Sequence, residues 1–219
     1  MKLAPGTPEP DRPDLPEAGL FPPDPSINWL PCDGAVHYFG PVLSAFGAWG
    51  YFDRLLKSVD WKNDETMMFG KRIVTARKVA WYGDKACAYT YSGITKQALP
   101  WTPELLELKA LAEGLTGDAF NSCLLNHYHH GGEGMGWHSD DEKAIVRNSS
   151  IASISLGAER RFCFKHRHRE LKASVVLEHG SLLVMKGATQ TYWLHSIPKA
   201  ARLSEPRINL TFRLINPVA

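Results

Sequence analysis

RINLTFRLI, residues 207–215, alternates without a break. Ile208, Leu210, Phe212 and Leu214 fall on one face and Arg207, Asn209, Thr211 and Arg213 on the other, as a strand with one side in a core requires. The pattern extends upstream. After Gly117 the chain breaks into short runs at 123–128, 151–156, 161–165, 173–177, 181–186 and 192–195, punctuated by Gly131-Gly132, Gly157, His179-Gly180 and Gly187. Many short strands bounded by turn residues predict a sandwich, jelly roll or barrel.

The half before Gly117 reads differently. Residues 42–57 set Leu43, Phe46, Phe52 and Leu55-Leu56 at roughly helical spacing. Residues 103–113 carry stronger signals: Thr102 as N-cap, Pro103 at the first helical position, Glu104 at the positive end of the dipole and Gly114 as a stop. Leu105, Leu108 and Leu111-Ala112 make its buried stripe. The expected class is therefore α+β, mainly β, with helices buttressing the strands.

A chain of 219 residues, 44% apolar and 22% charged, suits a globular protein with one sizeable core. Prolines at 5, 8, 10, 13, 16, 22, 23 and 25 mark residues 1–26 as an extended or disordered tail, leaving 27–219 as one domain. No apolar run approaches the length of about 20 residues that a membrane span needs, and MKLAPGTPEP has no apolar signal core. Cys32, Cys87, Cys123 and Cys163 form no CxxC pair and read as reduced thiols. The net charge of +2 is uneven: the first 26 residues are acidic, and the remainder is mildly basic. That balance is compatible with nucleic acid as a partner.

The chemistry concentrates in LLNHYHHGGEGMGWHSDDE, residues 124–142. Asn126 and Tyr128 share a strand face, and His138 and Asp140, also two apart, can point to one spot. An HxD pair alone is weak. His195, near the end of a later strand, adds a second histidine. Two histidines and a carboxylate leave three positions of an octahedral iron(II) open, although the same set suits a catalytic zinc. The polar face of 207–213 decides between them. Arginine binds a carboxylate through a two-pronged fork, and Arg207 and Arg213 stand about 20 Å apart along an extended backbone, placed for opposite ends of one ligand. A dicarboxylate that chelates the metal at one end and meets an arginine at the other is 2-oxoglutarate, for which a zinc hydrolase has no use.

The combination N-x-Y, H-x-D, H and R-x-N-x-T-x-R, spread from about Phe69 to Arg213, resembles the AlkB family of Fe(II)/2-oxoglutarate dioxygenases. The resemblance implies a double-stranded β-helix (jelly-roll) core at about 120–215. It implies His138, Asp140 and His195 as catalytic iron ligands. Asn126, Tyr128, Arg207 and Arg213 would bind 2-oxoglutarate, with Asn209 and Thr211 on the same wall.

FGKRIVTARKVAWYGD (69–84) and YTYSG (89–93) look like the members that repair double-stranded DNA, and imply nucleotide-recognition hairpins at about 67–93. By that likeness Phe69 wedges into the stack left by an extruded base. Tyr91 stacks on that base, and Tyr89, Ser92, Asp141 and Glu142 read its edge, carboxylates suiting an alkylated adenine or cytosine that is cationic. Arg77 is either a phosphate contact or a solvated arginine. The cluster Lys165-His166-Arg167-His168-Arg169 reads as a hairpin loop, either solvated or on DNA phosphates. One departure is that Pro198-Lys199-Ala200-Ala201-Arg202 is less basic than the corresponding run of the eukaryotic duplex-repair member.

The function implied is oxidative demethylation of 1-methyladenine- and 3-methylcytosine-type bases in DNA, with formaldehyde released as 2-oxoglutarate and O2 become succinate and CO2. The alternatives are the same chemistry on RNA or protein, or an inactive nucleic-acid-binding paralogue. The protein is expected to be a monomer, off the membrane and intracellular: cytoplasmic in a bacterium, nuclear in a eukaryote.

Overall fold

The computed structural model describes residues 23–68, 71–84, 87–91 and 94–216. The first half holds β1 (Ala35–Pro41), α1 (Ala45–Ser58), β2 (Lys62–Met68), β3 (Lys71–Gly83), β4 (Ala88–Tyr91), β5 (Ile94–Gln97) and α2 (Pro103–Thr116). The second holds β6 (Ser122–Tyr128), β7 (Met135–His138), β8 (Ile151–Gly157), β9 (Arg160–His166), β10 (Lys172–Leu177), β11 (Ser181–Lys186), the short α3 (Thr189–Tyr192), β12 (Trp193–Ile197) and β13 (Arg207–Arg213).

A seven-stranded sheet runs β1-β11-β8-β13-β6-β3-β2, and a four-stranded sheet runs β10-β9-β12-β7. Neighbours pair antiparallel in both. This is the expected jelly roll, with two helices on the outside of the larger sheet. Ala48, Phe52 and Leu55 of α1 and Leu105, Leu108 and Ala112 of α2 pack on Leu125, Ile154, Ile208, Leu210 and Phe212. A second apolar cluster, with Val36, Leu183, Phe164, Val175 and Trp193, joins the two sheets at one end.

Local chemistry explains the boundaries. Thr102 accepts from the Leu105 amide, Pro103 begins α2, and Gly117, at φ 71°, ends it in the left-handed region. Ser44 accepts from the Gly47 amide and starts α1 at Ala45. Leu43 therefore precedes the helix and Phe46 and Leu56 are exposed, contrary to the stripe read from spacing, whereas Phe52 and Leu55 are buried as expected. Gly157 ends β8 at φ 87°, where a side chain would strike the Pro206 carbonyl.

Every residue of β13 is buried. Its polar face is not solvated, because the smaller sheet covers it. The hairpin region also differs in extent: β3 pairs with β2 along one part and with β6 farther on, which roots that hairpin in the larger sheet. Residues 23–26, assigned to the tail, instead lie against β1, with Pro23 on Gly40 and the Pro25 carbonyl on the His37 ring. Residues 1–22 lie outside the described residues. Among the described residues, no helix is long and apolar enough to cross a membrane.

Candidate active site

Strand register assembles the polar face of the larger sheet. Asn209 stands opposite Asn126 on one side and Ser155 on the other, and Arg207 opposite Tyr128 and Gly157. Residues far apart in sequence thus become same-face neighbours between the sheets.

The smaller sheet brings two histidines to this space. His138 on β7 and His195 on β12 are direct cross-strand partners, with ring centroids 4.2 Å apart. Asp140, just beyond β7, sets its Oδ1 3.8 Å from His138 Nε2 and 3.9 Å from His195 Nε2. Two metal–ligand bonds of about 2 Å span at most about 4 Å, so one ion can touch all three. His138 Nδ1 donates to the Gly136 carbonyl at 2.9 Å, which leaves its Nε2 lone pair toward Asp140.

Charge prepares the carboxylate. Burial alone would raise the Asp140 pKa, but Arg213, aided by both histidines, outweighs burial and holds it down at about 2. Arg213 binds only Oδ2, at 2.6 and 3.0 Å, leaving Oδ1 on the histidine side. Gln190 of α3 accepts from the Asp140 amide at 2.9 Å and fixes its backbone. Burial lowers His195 to about 3, so its ring is neutral and able to ligate at neutral pH.

Arg207 is fully buried. Its Nη2 donates to Ser155 Oγ at 2.9 Å and Asn209 Oδ1 at 2.7 Å. Its Nε and Nη1 are buried without a partner among the described residues. A buried guanidinium without a counter-charge is costly; burial lowers its pKa to about 10, and it remains charged at neutral pH. The unmet donors are of the type that binds a carboxylate, although Arg207 lies behind the cavity wall and is not among the residues lining it. Asn126 lines the same cavity as the triad; its buried Oδ1 has no partner among the described residues, and its amide nitrogen is the group able to donate to a carboxylate. The donor set therefore fits an iron ion beside a dicarboxylate.

The family model of the 2OG-Fe(II) oxygenase superfamily matches residues 35–213, which include the triad and the whole polar face of β13. The chain belongs to that superfamily. This oxygenase is 41% identical over 175 residues to human DNA oxidative demethylase ALKBH2, covering 75% of this chain and 67% of that one. It is 40% identical over 176 residues to alpha-ketoglutarate-dependent dioxygenase alkB homolog 3 of Bos taurus, covering 76% and 61%. The chain spans about two thirds of the length of these curated relatives. The solved structure of OsALKBH1 shares the fold, with a TM-score of 0.59 at 14% identity over 85% of this chain and 99% of that one. The oxygenase family carries Fe(II) and 2-oxoglutarate, which agrees with the donor set.

The oxygenase's triad and its Asn126, Tyr128, Asn209, Thr211 and Arg213 all line one cavity of about 970 Å³. Asp141 and Glu142 also line it. Asp141 is exposed and pairs with Arg167, whose Nη2 also reaches Ser139 at 2.6 Å. Arg77 is buried, 6.0 Å from the Tyr128 ring and 3.3 Å from Met135 Sδ, which excludes the solvated reading. Tyr89 and Tyr91 lie on β4, paired with Lys96 and Ile94. Phe69 and Ser92 lie outside the described residues.

Sequence reasoning missed Arg160 and Gln190. Arg160 is buried 5.8 Å from the Tyr128 ring and donates to the Glu133 and Pro198 carbonyls. The alternation of Phe162 and Phe164, carried back two residues, places Arg160 inward and was the available signal. The basic cluster also divides: Lys165 and His166 belong to β9, and His166 Nδ1 accepts from the His168 and Arg169 amides.

Proposed function

We propose that this oxygenase is an oxidative demethylase of N-alkylated bases, of the 1-methyladenine and 3-methylcytosine type, in DNA. The supporting observation is the cavity of about 970 Å³, which opens on His138, Asp140 and His195 with Asp141 and Glu142 on its wall. That volume is at the upper end of ligand pockets, about 300–1,000 Å³, and accommodates a cosubstrate and an extruded base together. Carboxylates on the wall suit a cationic alkylated base with an exocyclic amino donor. The relative named DNA oxidative demethylase ALKBH2 supports the same substrate.

His138, Asp140 and His195 would hold Fe(II), and Arg207, with Tyr128 and Asn126, would hold 2-oxoglutarate. When bound, this pair would supply O2-dependent oxidation, in which one oxygen atom of O2 goes to succinate as 2-oxoglutarate loses CO2 and the other goes to the N-methyl group, which leaves as formaldehyde. The protein's own residues do the rest. Arg213 keeps Asp140 ionised, and the burial of His195 keeps that ligand neutral. Arg207 offers the distal carboxylate a preformed charge in a dry setting, which fixes the cosubstrate's orientation. Asp141 and Glu142 orient the base so that its methyl group faces the metal.

Duplex DNA is included in the proposal, with Phe69, which falls between β2 and β3 in sequence, as the wedge, and Tyr91, Tyr89, Ser92 and Arg77 around the extruded nucleotide. The protein is proposed to act as a monomer. Four free cysteines support a reducing, intracellular setting. The test is incubation with Fe(II), 2-oxoglutarate and methylated oligonucleotides, single- and double-stranded, read by mass spectrometry. Loss of one methyl mass from a 1-methyladenine or 3-methylcytosine strand is expected; intact methylated DNA rejects the proposal.

A further inference from the structure

The outer face of the four-stranded sheet lies on the opposite side from the active site. Arg161, Cys163 and Lys165 of β9 alternate outward, as do Lys172, Ser174 and Val176 of β10. Trp137 of β7 is 44% exposed, and the Lys165 ammonium sits 4.7 Å from its ring centroid. Lys165 and Lys172 are direct cross-strand partners. The Lys165 ammonium leans across β12 toward Trp137 and away from Lys172, so the cations spread over the width of the sheet. The strands β7, β9, β10 and β12 contain no aspartate or glutamate. Arg167 and Arg169 in the following turn pair with Asp141 and Asp33. Arg161, Lys165 and Lys172 have no carboxylate partner among the described residues.

We propose that this face, built on Trp137, Lys165, Lys172 and Arg161, binds the unpaired nucleic-acid strand that flanks the base held in the active site. Three cations without a carboxylate match a phosphate backbone. An exposed indole offers a stacking platform to an unpaired base, whereas a duplex keeps its base faces inside the stack. Position supports the same partner. Trp137 and His138 are consecutive on β7, an edge strand, so one points outward where the other points to the metal centre. A nucleotide extruded toward His138 leaves its neighbour at the edge of β7, over Trp137. The inference rests on the proposed nucleic-acid substrate, but its test does not require turnover.

The test is fluorescence anisotropy with an unmodified, fluorescein-labelled single strand of about 15 nucleotides, titrated at several salt concentrations against the full chain. The double variant Lys165→Gln/Lys172→Gln is expected to bind about tenfold more weakly and to lose about 1.4 from the slope of log K against log salt, about 0.7 for each phosphate released. Trp137→Ala is expected to weaken binding about fivefold or more, with a much smaller loss on an abasic strand of the same length. Thermal melts confirm that each variant is folded. Binding by both variants within twofold of wild type overturns the proposal, as does an equal Trp137→Ala loss on the abasic strand. A wild-type chain that binds through this face yet demethylates nothing contradicts the proposed reaction and leaves the surface supported.

Discussion

Arg213 grips Asp140 through Oδ2 alone, at 2.6 Å from Nη2 and 3.0 Å from Nε, so that Oδ1 remains on the side of both histidines. The last residue of β13 thereby sets the charge and the rotation of the carboxylate that follows β7 and is proposed to ligate the metal. Arg213→Gln leaves Asp140 buried without its counter-charge. Affinity for Fe(II), or for Co(II) as a spectroscopic substitute, is expected to fall about 10–100-fold, as for other losses of groups that orient a metal ligand. Titration of the visible Co(II) bands checks it, and wild-type affinity in the variant would contradict the role.

Arg207 presents the opposite situation, a buried guanidinium with two nitrogens that have no partner among the described residues. Replacing an uncompensated buried charge with an apolar side chain of similar size is often stabilising. Arg207→Met is therefore expected to melt at a higher temperature than the wild type without ligand. It should also lose the rise in melting temperature that 2-oxoglutarate produces in the wild type through linkage. Arg207→Lys keeps the charge without the fork and is expected to raise the 2-oxoglutarate KM about tenfold, a loss of about 1.4 kcal/mol, with DNA affinity unchanged. Melts with and without 2-oxoglutarate, with steady-state kinetics, measure both.

Acid should destabilise the metal-free protein in a defined window. Burial lowers His195 to about 3 and, helped by His129, lowers His127 to about 4, against an ordinary 6.5. Between about 6.5 and 4 the unfolded chain takes up protons that the folded chain refuses, so stability falls as pH drops. Asp140, held at about 2 against an ordinary 3.8, adds a loss in the same direction at lower pH. His127 packs against Trp61 and has neither ring nitrogen partnered among the described residues. His127→Phe is expected to flatten the fall in melting temperature between pH 7 and 5. A slope equal to wild type would show that His127 does not titrate in the window.

The wedge assigned to Phe69 separates two substrates. Extruding a base from a duplex costs a few kcal/mol of stacking and pairing, and a single strand imposes much less. Phe69→Ala is expected to reduce repair of double-stranded substrate sharply and to spare single-stranded substrate. A core role would instead cost about 3–5 kcal/mol of stability and lower both activities together. The ratio of the two rates, with thermal melts, decides between them.

The strands after Gly117 were legible because each carries its own alternation, and β6, β8, β11 and β13 fall within a residue or so of the runs read from sequence. α2 was legible from its N-terminal cap at Thr102 and Pro103, but it runs through Gly114, the stop read from sequence, and ends at Gly117. α1 was misjudged at its start because Ser44, a single capping hydroxyl, places Phe46 outside the buried stripe. The triad was legible because His138 and Asp140 are close in sequence and His195 stands near the end of a later strand that carries its own pattern. Arg160 was readable from the alternation of β9, whereas Gln190 and the grip of Arg213 on Asp140 were not. Each depends on which strand lies beside which, a long-range fact that no local pattern encodes. β7 was missed as a strand because two glycines in MGWH and its flank hide the pattern.

The central claim is that His138, Asp140 and His195 hold an iron that oxidises an N-methyl group on DNA at the expense of 2-oxoglutarate. Its most direct measurement is the ratio of formaldehyde to succinate released from a 1-methyladenine oligonucleotide, in the wild type and in Asp140→Ala. The wild type should release equal amounts, only with Fe(II) and 2-oxoglutarate present, and Asp140→Ala should release neither. Formaldehyde from Asp140→Ala, or succinate from the wild type without formaldehyde, would contradict it.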